Sequence, residues 1–468
     1  MNVNFNKGMK TLIIFVIASA ILITSQSTIT TSLTSIISDF GVSSSTAQLT
    51  YSLFLLIMGV MIPLSAYFSR RFSVKHLLLG CVGIFIIGSV VSYLSISIEF
   101  LIIGRILEAI GAGLILPINQ ILLLNVLPED KWQVGMGLIG LLLGITPALG
   151  PIIGGFIADT MGWRWIFLIF IILSVIIFLI SLFVKYESKE KLDYPLDVYS
   201  LITCVIAFIG IMLGFSNIAE YGSSILYVIA PIVIGIICLF VFIKRQISIE
   251  HPLLNLAVLK NKYFVWGTMF SAILYFTMCG LNVIMPLFVQ SVAYHSATTS
   301  GLILLPGTII MIVFNFVGPL LASKIGVRKV LILSCIFSIV GFGSMMTYNV
   351  NSSVEYMILT QIIRAIGPGL GLMPAVTWTM SVVSDDIEDA TAINNTVRQI
   401  IGSVGAAIAV VLMAVFAGGN VCHNQLSANA FSITSLIMII LTIISLFIVI
   451  IYIKDKVKKD DVTEESFN

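Results

Sequence analysis

Apolar residues run along this chain in stretches of about 17–25, broken by short polar segments; that is the length a helix needs to cross the hydrocarbon core of a bilayer. The stretches centre near residues 23, 57, 86, 114, 145, 175, 207, 234, 276, 309, 340, 368, 403 and 442, and predict 14 transmembrane helices. No segment between them is long or polar enough to hold a soluble nucleotide-hydrolysing domain. The first stretch, Leu12 to Ile23 with Lys7 and Lys10 before it, has the outline of a signal peptide. It is read as an uncleaved first span, because removing it would leave an odd number of spans and break the repeat described below.

Composition points the same way. The chain is 59% hydrophobic and only 10% charged, whereas soluble domains are about 45–50% apolar and about 25% charged. So few charges cannot coat a water-facing surface. A soluble enzyme, a nucleic-acid binder and a disordered protein are thereby excluded, and the long runs favour helices over a barrel. The six cysteines form no CxxC and read as small core residues. With no HExxH, GxSxG or Walker loop, the sequence suggests no metal, no cofactor and no catalytic group.

Charge orients the spans. With the N-terminus inside, 20 of the 24 Lys and Arg residues fall in inside segments, which predicts a multi-pass protein of the cell membrane with both termini cytoplasmic. The exceptions are Arg105, Arg164, Arg364 and Arg398, of which only Arg164 falls in a predicted outside loop.

Two halves echo each other. Arg105-Ile-Leu-Glu108-Ala-Ile-Gly111 in the fourth span resembles Arg364-Ala-Ile-Gly367 in the twelfth. Arg71 to Lys75 resembles Lys324 to Arg328 at a nearly equal offset. The expected architecture is an all-α integral membrane fold of two six-helix bundles, residues 11–186 and 263–453. Residues 187–262 hold linkers and two inserted helices, and residues 1–10 and 454–468 form cytoplasmic ends.

Three segments could carry chemistry. In the fifth span Gly140, Gly144, Pro147, Pro151 and Gly154 fall on one helical face, and Gly150 and Gly155 add to the small residues there. Such a face permits close packing and suits a bending or sliding surface between moving bundles. In the fourth span Arg105 and Glu108 share a face, and Asn119 follows it. This is either a static ion pair or a proton-carrying carboxylate and its partner, since ionisable groups inside a span are functional candidates. In the first span ten of the twelve residues from Thr24 to Ser35 are Ser, Thr or Gln, a pattern expected to line a water-filled cavity. The cavity residues proposed from these patterns are Gln26, Thr30 and Asn119, with Asn282 of the ninth span and Trp378 of the twelfth.

The run Gly150-Pro151-Ile-Ile-Gly154-Gly155 resembles the antiporter motif of the major facilitator superfamily, in particular its 14-span drug:proton antiporters. Trp163-Arg164-Trp165-Ile166-Phe167 resembles that family's sixth span, and Ala390 to Gln399 with Gly402 and Gly405 its thirteenth. The chain departs from the pattern in the first span, where Gln26 stands in the region of the usual aspartate. It departs again at Ser69-Arg70-Arg71, which lacks the usual acid, and at Glu108, where glutamine is usual. The resemblance implies a major facilitator fold, no enzyme, and proton-coupled efflux of amphipathic drug-like compounds by alternating access. Its partners would be a small-molecule substrate, protons and the lipid bilayer, with no nucleic acid. Glu108 and Arg105 would couple protons, and Gly144, Pro147, Gly150, Pro151, Gly154 and Gly155 would form a conformational hinge. Export of a metabolite such as an amino acid or lipid-like molecule, and a non-transporting scaffold or receptor, are the alternatives.

Overall fold

The computed structural model describes residues 2–126, 149–183, 197–222, 224–249, 252–253, 256–383, 387–417 and 427–455, and every regular element among them is helical. Twelve of the described helices are long and apolar enough to cross a membrane. The first span joins α1 (Asn2–Thr28), a 3-10 turn (Ile29–Ser32) and α2 (Leu33–Phe40). Then come α3 (Ser44–Arg71), α4 (Val74–Tyr93), α5 (Ile98–Val126), α6 (Leu149–Thr160) and α7 (Arg164–Phe183). The inserted pair is α8 (Val198–Ser216) and α10 (Ala230–Ser248), with the short α9 (Ile218–Tyr221) between them. The second half holds α11 (Lys262–Ser291), α12 (Ala297–Ile325), α13 (Val327–Met345), α14 (Val354–Ser381), α15 (Ile387–Phe416) and α16 (Ala428–Tyr452). Helices α5 and α6 occupy the fourth and fifth predicted spans. Gly144 and Pro147 lie outside the described residues.

Local chemistry sets the helix ends. Ser43, Ser73, Ser296, Ser353 and Ser427 each accept a backbone N–H of the helix they precede, relieving orphan donors of the first turn. Gly41, at φ +65°, ends α2 with a left-handed residue. Pro286, Pro306, Pro319, Pro368 and Pro374 lie inside helices, as membrane helices tolerate when neighbours cover the freed carbonyls.

Within the first half α5 packs on α1, α3 and α4, and α7 on α1 and α4; within the second, α14 packs on α11, α12 and α13, and α11 on α15 and α16. The halves meet where α3 lies along α15, where the first span touches α11, and where α6 meets α12. Glycine sets these seams. A Cβ on Gly59 would lie 2.8 Å from Gln399 Cβ, on Gly155 2.4 Å from the Ala297 carbonyl, and on Gly301 2.6 Å from the Pro151 carbonyl. Backbones this close leave no room for a side chain. The inserted pair packs on itself through Gly210, Gly214 and Gly235, and α8 rests on α3 and α15.

Candidate functional site at the seam between the halves

The Arg105–Glu108 pair forms as its spacing suggests, and both residues are fully buried. Arg105 Nη1 donates to Glu108 Oε2 at 2.5 Å and to Ser25 Oγ at 2.6 Å; Nη2 donates to the Ser25 carbonyl at 3.2 Å and Nε to the Thr50 carbonyl at 3.1 Å. Its guanidinium lies 4.3 Å from the Phe54 ring centre. Ser89 Oγ donates to Glu108 Oε1 at 2.7 Å and Ser25 Oγ to Oε2 at 3.0 Å. Four helices, α1, α3, α4 and α5, therefore converge on one ion pair inside the first half. Charge-assisted bonds of this kind are needed to keep two ions out of water. Ser25 and Ser89 were not singled out from the sequence. Only the packing shows which hydroxyls reach the carboxylate.

Tyr51, beside Thr50 on α3, lies within electrostatic reach of Arg105 and leads to a second polar cluster. There the side chains of Gln26 and Cys279 lie close enough to interact with Tyr51 and Tyr275. Tyr275 Oη donates to Gln399 Oε1 at 3.2 Å, and the Arg398 guanidinium lies 5.6 Å from the centre of the Tyr275 ring. A Cβ on Gly402 would come within 2.6 Å of that ring, so the glycine makes the space Tyr275 fills. Gln26 and Tyr51 come from the first half, and Tyr275, Cys279, Arg398 and Gln399 from the second. The cluster spans the seam. Asn282 follows Tyr275 and Cys279 on one stripe of α11 and is half-buried.

The other expected cavity residues are not gathered here. Thr30 Oγ1 donates to the Ser27 carbonyl at 2.7 Å, and Asn119 Nδ2 donates to Ser19 Oγ at 2.5 Å, tying α5 to α1. Trp378 lies at the far end of α14. It packs at Gly267 and donates to the Lys454 carbonyl at 2.9 Å. Its indole N–H needs a partner when buried, and the chain after α16 supplies one.

The polar half of the first span turns largely inward on helix backbone rather than onto water. Thr24, Thr28 and Thr30 bond carbonyls of their own helix. Thr31 Oγ1 donates to the Pro151 carbonyl at 3.0 Å, and a Cβ on Gly154 would sit 2.1 Å from the Thr28 carbonyl. Helix α6 is thus wedged between the halves: Gly150 and Gly154 press on α1, while Pro151 and Gly155 press on α12. At its end Asp159 accepts from the backbone N–H groups of Ala297 (3.2 Å) and Thr298 (2.6 Å). An acid of one half therefore caps the first turn of a helix in the other. Nearby, Gln290 of α11 bonds the Thr31 carbonyl at 3.0 Å and also the Thr34 hydroxyl. Along these contacts the halves are closed at the Asp159 end.

The sequence profile of the Major Facilitator Superfamily matches residues 15–406. The chain belongs to that superfamily. It is 30% identical to the uncharacterized MFS-type transporter YcnB of Bacillus subtilis over 396 residues, covering 84% of this chain and 83% of the relative. It is 30% identical to the lincomycin resistance protein LmrB of Listeria monocytogenes over 401 residues, 85% of each. The multidrug export protein EmrB of Escherichia coli is 26% identical over 355 residues, 75% of this chain and 69% of EmrB. Among solved structures, a bacterial homolog of the lysosomal transporter Spinster in an inward-facing, unoccupied conformation superposes with TM-score 0.66 at 14% identity, covering 99% of both chains. The peptide transporter POT in complex with sulfate gives 0.68 at 13%, covering 94% of each. The expected family and all-helical fold are borne out, and this superfamily member is a multi-pass membrane transporter of a small molecule, not an enzyme.

Proposed function

We propose that the chain exports amphipathic, drug-like compounds across the cell membrane in exchange for protons, by rocking one half against the other. The resistance and multidrug export names of its relatives support the substrate class. The basic residues support an orientation with both termini cytoplasmic. In that orientation the Asp159 end faces outward, and the described conformation is closed on that side.

The observation that carries the proton coupling is Glu108. Among the described residues it is the one carboxylate buried away from a helix end, and three donors, Arg105, Ser25 and Ser89, are bonded to it. Protonation removes its charge and releases Arg105, whose bonds bridge Ser25 on α1 and Thr50 on α3. Gln26 and Tyr51, the next residues on those helices, are the ones that reach the seam. A proton at Glu108 is thereby felt where the halves meet.

Glu108→Gln keeps the size but cannot titrate. In proteoliposomes carrying a pH gradient it should abolish gradient-driven efflux and flatten the pH dependence while equilibrium substrate binding survives. Normal efflux with unchanged pH dependence would leave Glu108 as an ion-pair partner only. Wild-type protein with no gradient-dependent efflux would favour the scaffold.

A further inference from the structure

Arg398 stands in the middle of α15, at the seam, with no acid beside it among the described residues. Of its N–H donors, Nη2 bonds Asn395 Oδ1 at 3.0 Å, and Nε is buried with no partner. The Tyr275 ring is its nearest aromatic face. A guanidinium keeps its charge at any physiological pH, and a charge removed from water without a counter-charge is costly. Arg105 shows how this chain satisfies a buried arginine when it does so internally: a carboxylate, a hydroxyl and two carbonyls. Glu108 is already engaged there. Arg398 has one amide oxygen and is half-buried, so part of it remains accessible. The groups around it are neutral: the Asn395 amide, and the Tyr275 ring, whose hydroxyl donates to the Gln399 amide.

We infer that Arg398 binds the anionic oxygen head of the exported compound, a carboxylate in the simplest case, with the Tyr275, Gln26 and Gln399 side chains completing its hydrogen bonds. This deepens the exporter reading and rests on it. A planar guanidinium fork matches a carboxylate, whereas a cationic head would meet like charge in a low-dielectric site. The cluster draws residues from both halves, so an anion held there bears on their relative position.

The test uses the full-length protein in nanodiscs of phosphatidylcholine and three probes alike except for the head: naphthoate, naphthylmethanol and naphthylmethylammonium. Naphthoate should bind at least about 30-fold more tightly than the other two, equivalent to ~2 kcal/mol. Arg398→Gln should erase that preference without lowering thermal stability in the absence of probe, and Arg398→Lys should keep part of it. Equal or tighter binding of the alcohol or the ammonium overturns the inference. So does no naphthoate binding, or a preference that survives Arg398→Gln. Displacement of naphthoate by phosphatidylglycerol would make the occupant a lipid headgroup and likewise overturn it. Efflux is read separately in proteoliposomes. Naphthoate binding without gradient-driven efflux removes the exporter reading and leaves the site. Efflux of naphthoate by Arg398→Gln at the wild-type rate removes the site and leaves the exporter.

Discussion

Arg105 and Arg364 occupy matching places in the two halves, yet their surroundings differ. The backbone packing is alike. A Cβ on Gly88 would lie 2.6 Å from the Glu108 nitrogen, and one on Gly341 would lie 2.4 Å from Arg364 Cα, so α4 meets α5 as α13 meets α14. The chemistry is not alike. Three residues after Arg105 stands Glu108; three residues after Arg364 stands Gly367, where even a Cβ would fall 2.0 Å from Ser338 Oγ. Every nitrogen of Arg105 donates a bond, whereas Arg364 Nε and both amide atoms of Gln361 are buried without hydrogen-bond partners among the described residues. The repeat kept the helix pairing and placed an acid in one half only. An arginine alone in such a helix therefore says nothing about charge coupling, which needs the acid and the hydroxyls that hold it.

The largest expected effect tests the paired side. Arg105→Met leaves Glu108 buried and uncompensated and should lower unfolding stability in detergent by about 3–5 kcal/mol. Adding Glu108→Met should restore most of it, because the pair as a whole contributes far less than the penalty for breaking it. On the unpaired side, Arg364→Met removes a desolvated charge with no counter-ion and should be stabilising by about 1–2 kcal/mol in the same assay. A loss equal to that of Arg105→Met would show that Arg364 has a partner and would end the contrast.

A carboxylate used between the halves gives the next smaller effect. Asp159→Asn weakens the cap on α12 by about 1 kcal/mol. That should raise the population separated at this end roughly fivefold, read as a longer distance between spin labels on the ends of α6 and α12. An unchanged distance distribution would mean that Asp159 does not help to hold the halves together.

A partly buried arginine–carboxylate pair at the helix ends sets the baseline. Arg245 donates to both Asp197 oxygens at 2.8 and 2.9 Å, and this holds the Asp197 carboxyl down at about 2, below its ordinary 3.8. A lowered carboxyl contributes stability above its unfolded value and loses it as pH falls toward the folded one. The difference in thermal midpoint between wild type and Asp197→Asn should therefore be full at neutral pH and vanish between pH 3.8 and about 2. Water screens such a pair, so the neutral-pH difference should stay below about 1 kcal/mol. A difference as large as that of Arg105→Met would mean that burial is not what separates the two pairs.

The sequence by itself determined what depends on neighbours along the chain. Span length follows from apolar runs, and the Arg105–Glu108 pair from a spacing of three on one helix. Tertiary structure alone decided what depends on how each helix is turned. It brought Ser25 and Ser89 to Glu108, joined Gln26, Tyr51, Tyr275 and Gln399 across the seam, and set Trp378 apart against Lys454. Arg398 was visible as a charge within a span, but that no carboxylate among the described residues meets it could be seen only once the helices were packed. The reason is geometric. Periodicity says which residues share a face, whereas rotation and closeness are set by where glycines such as Gly59, Gly155 and Gly402 let another helix in.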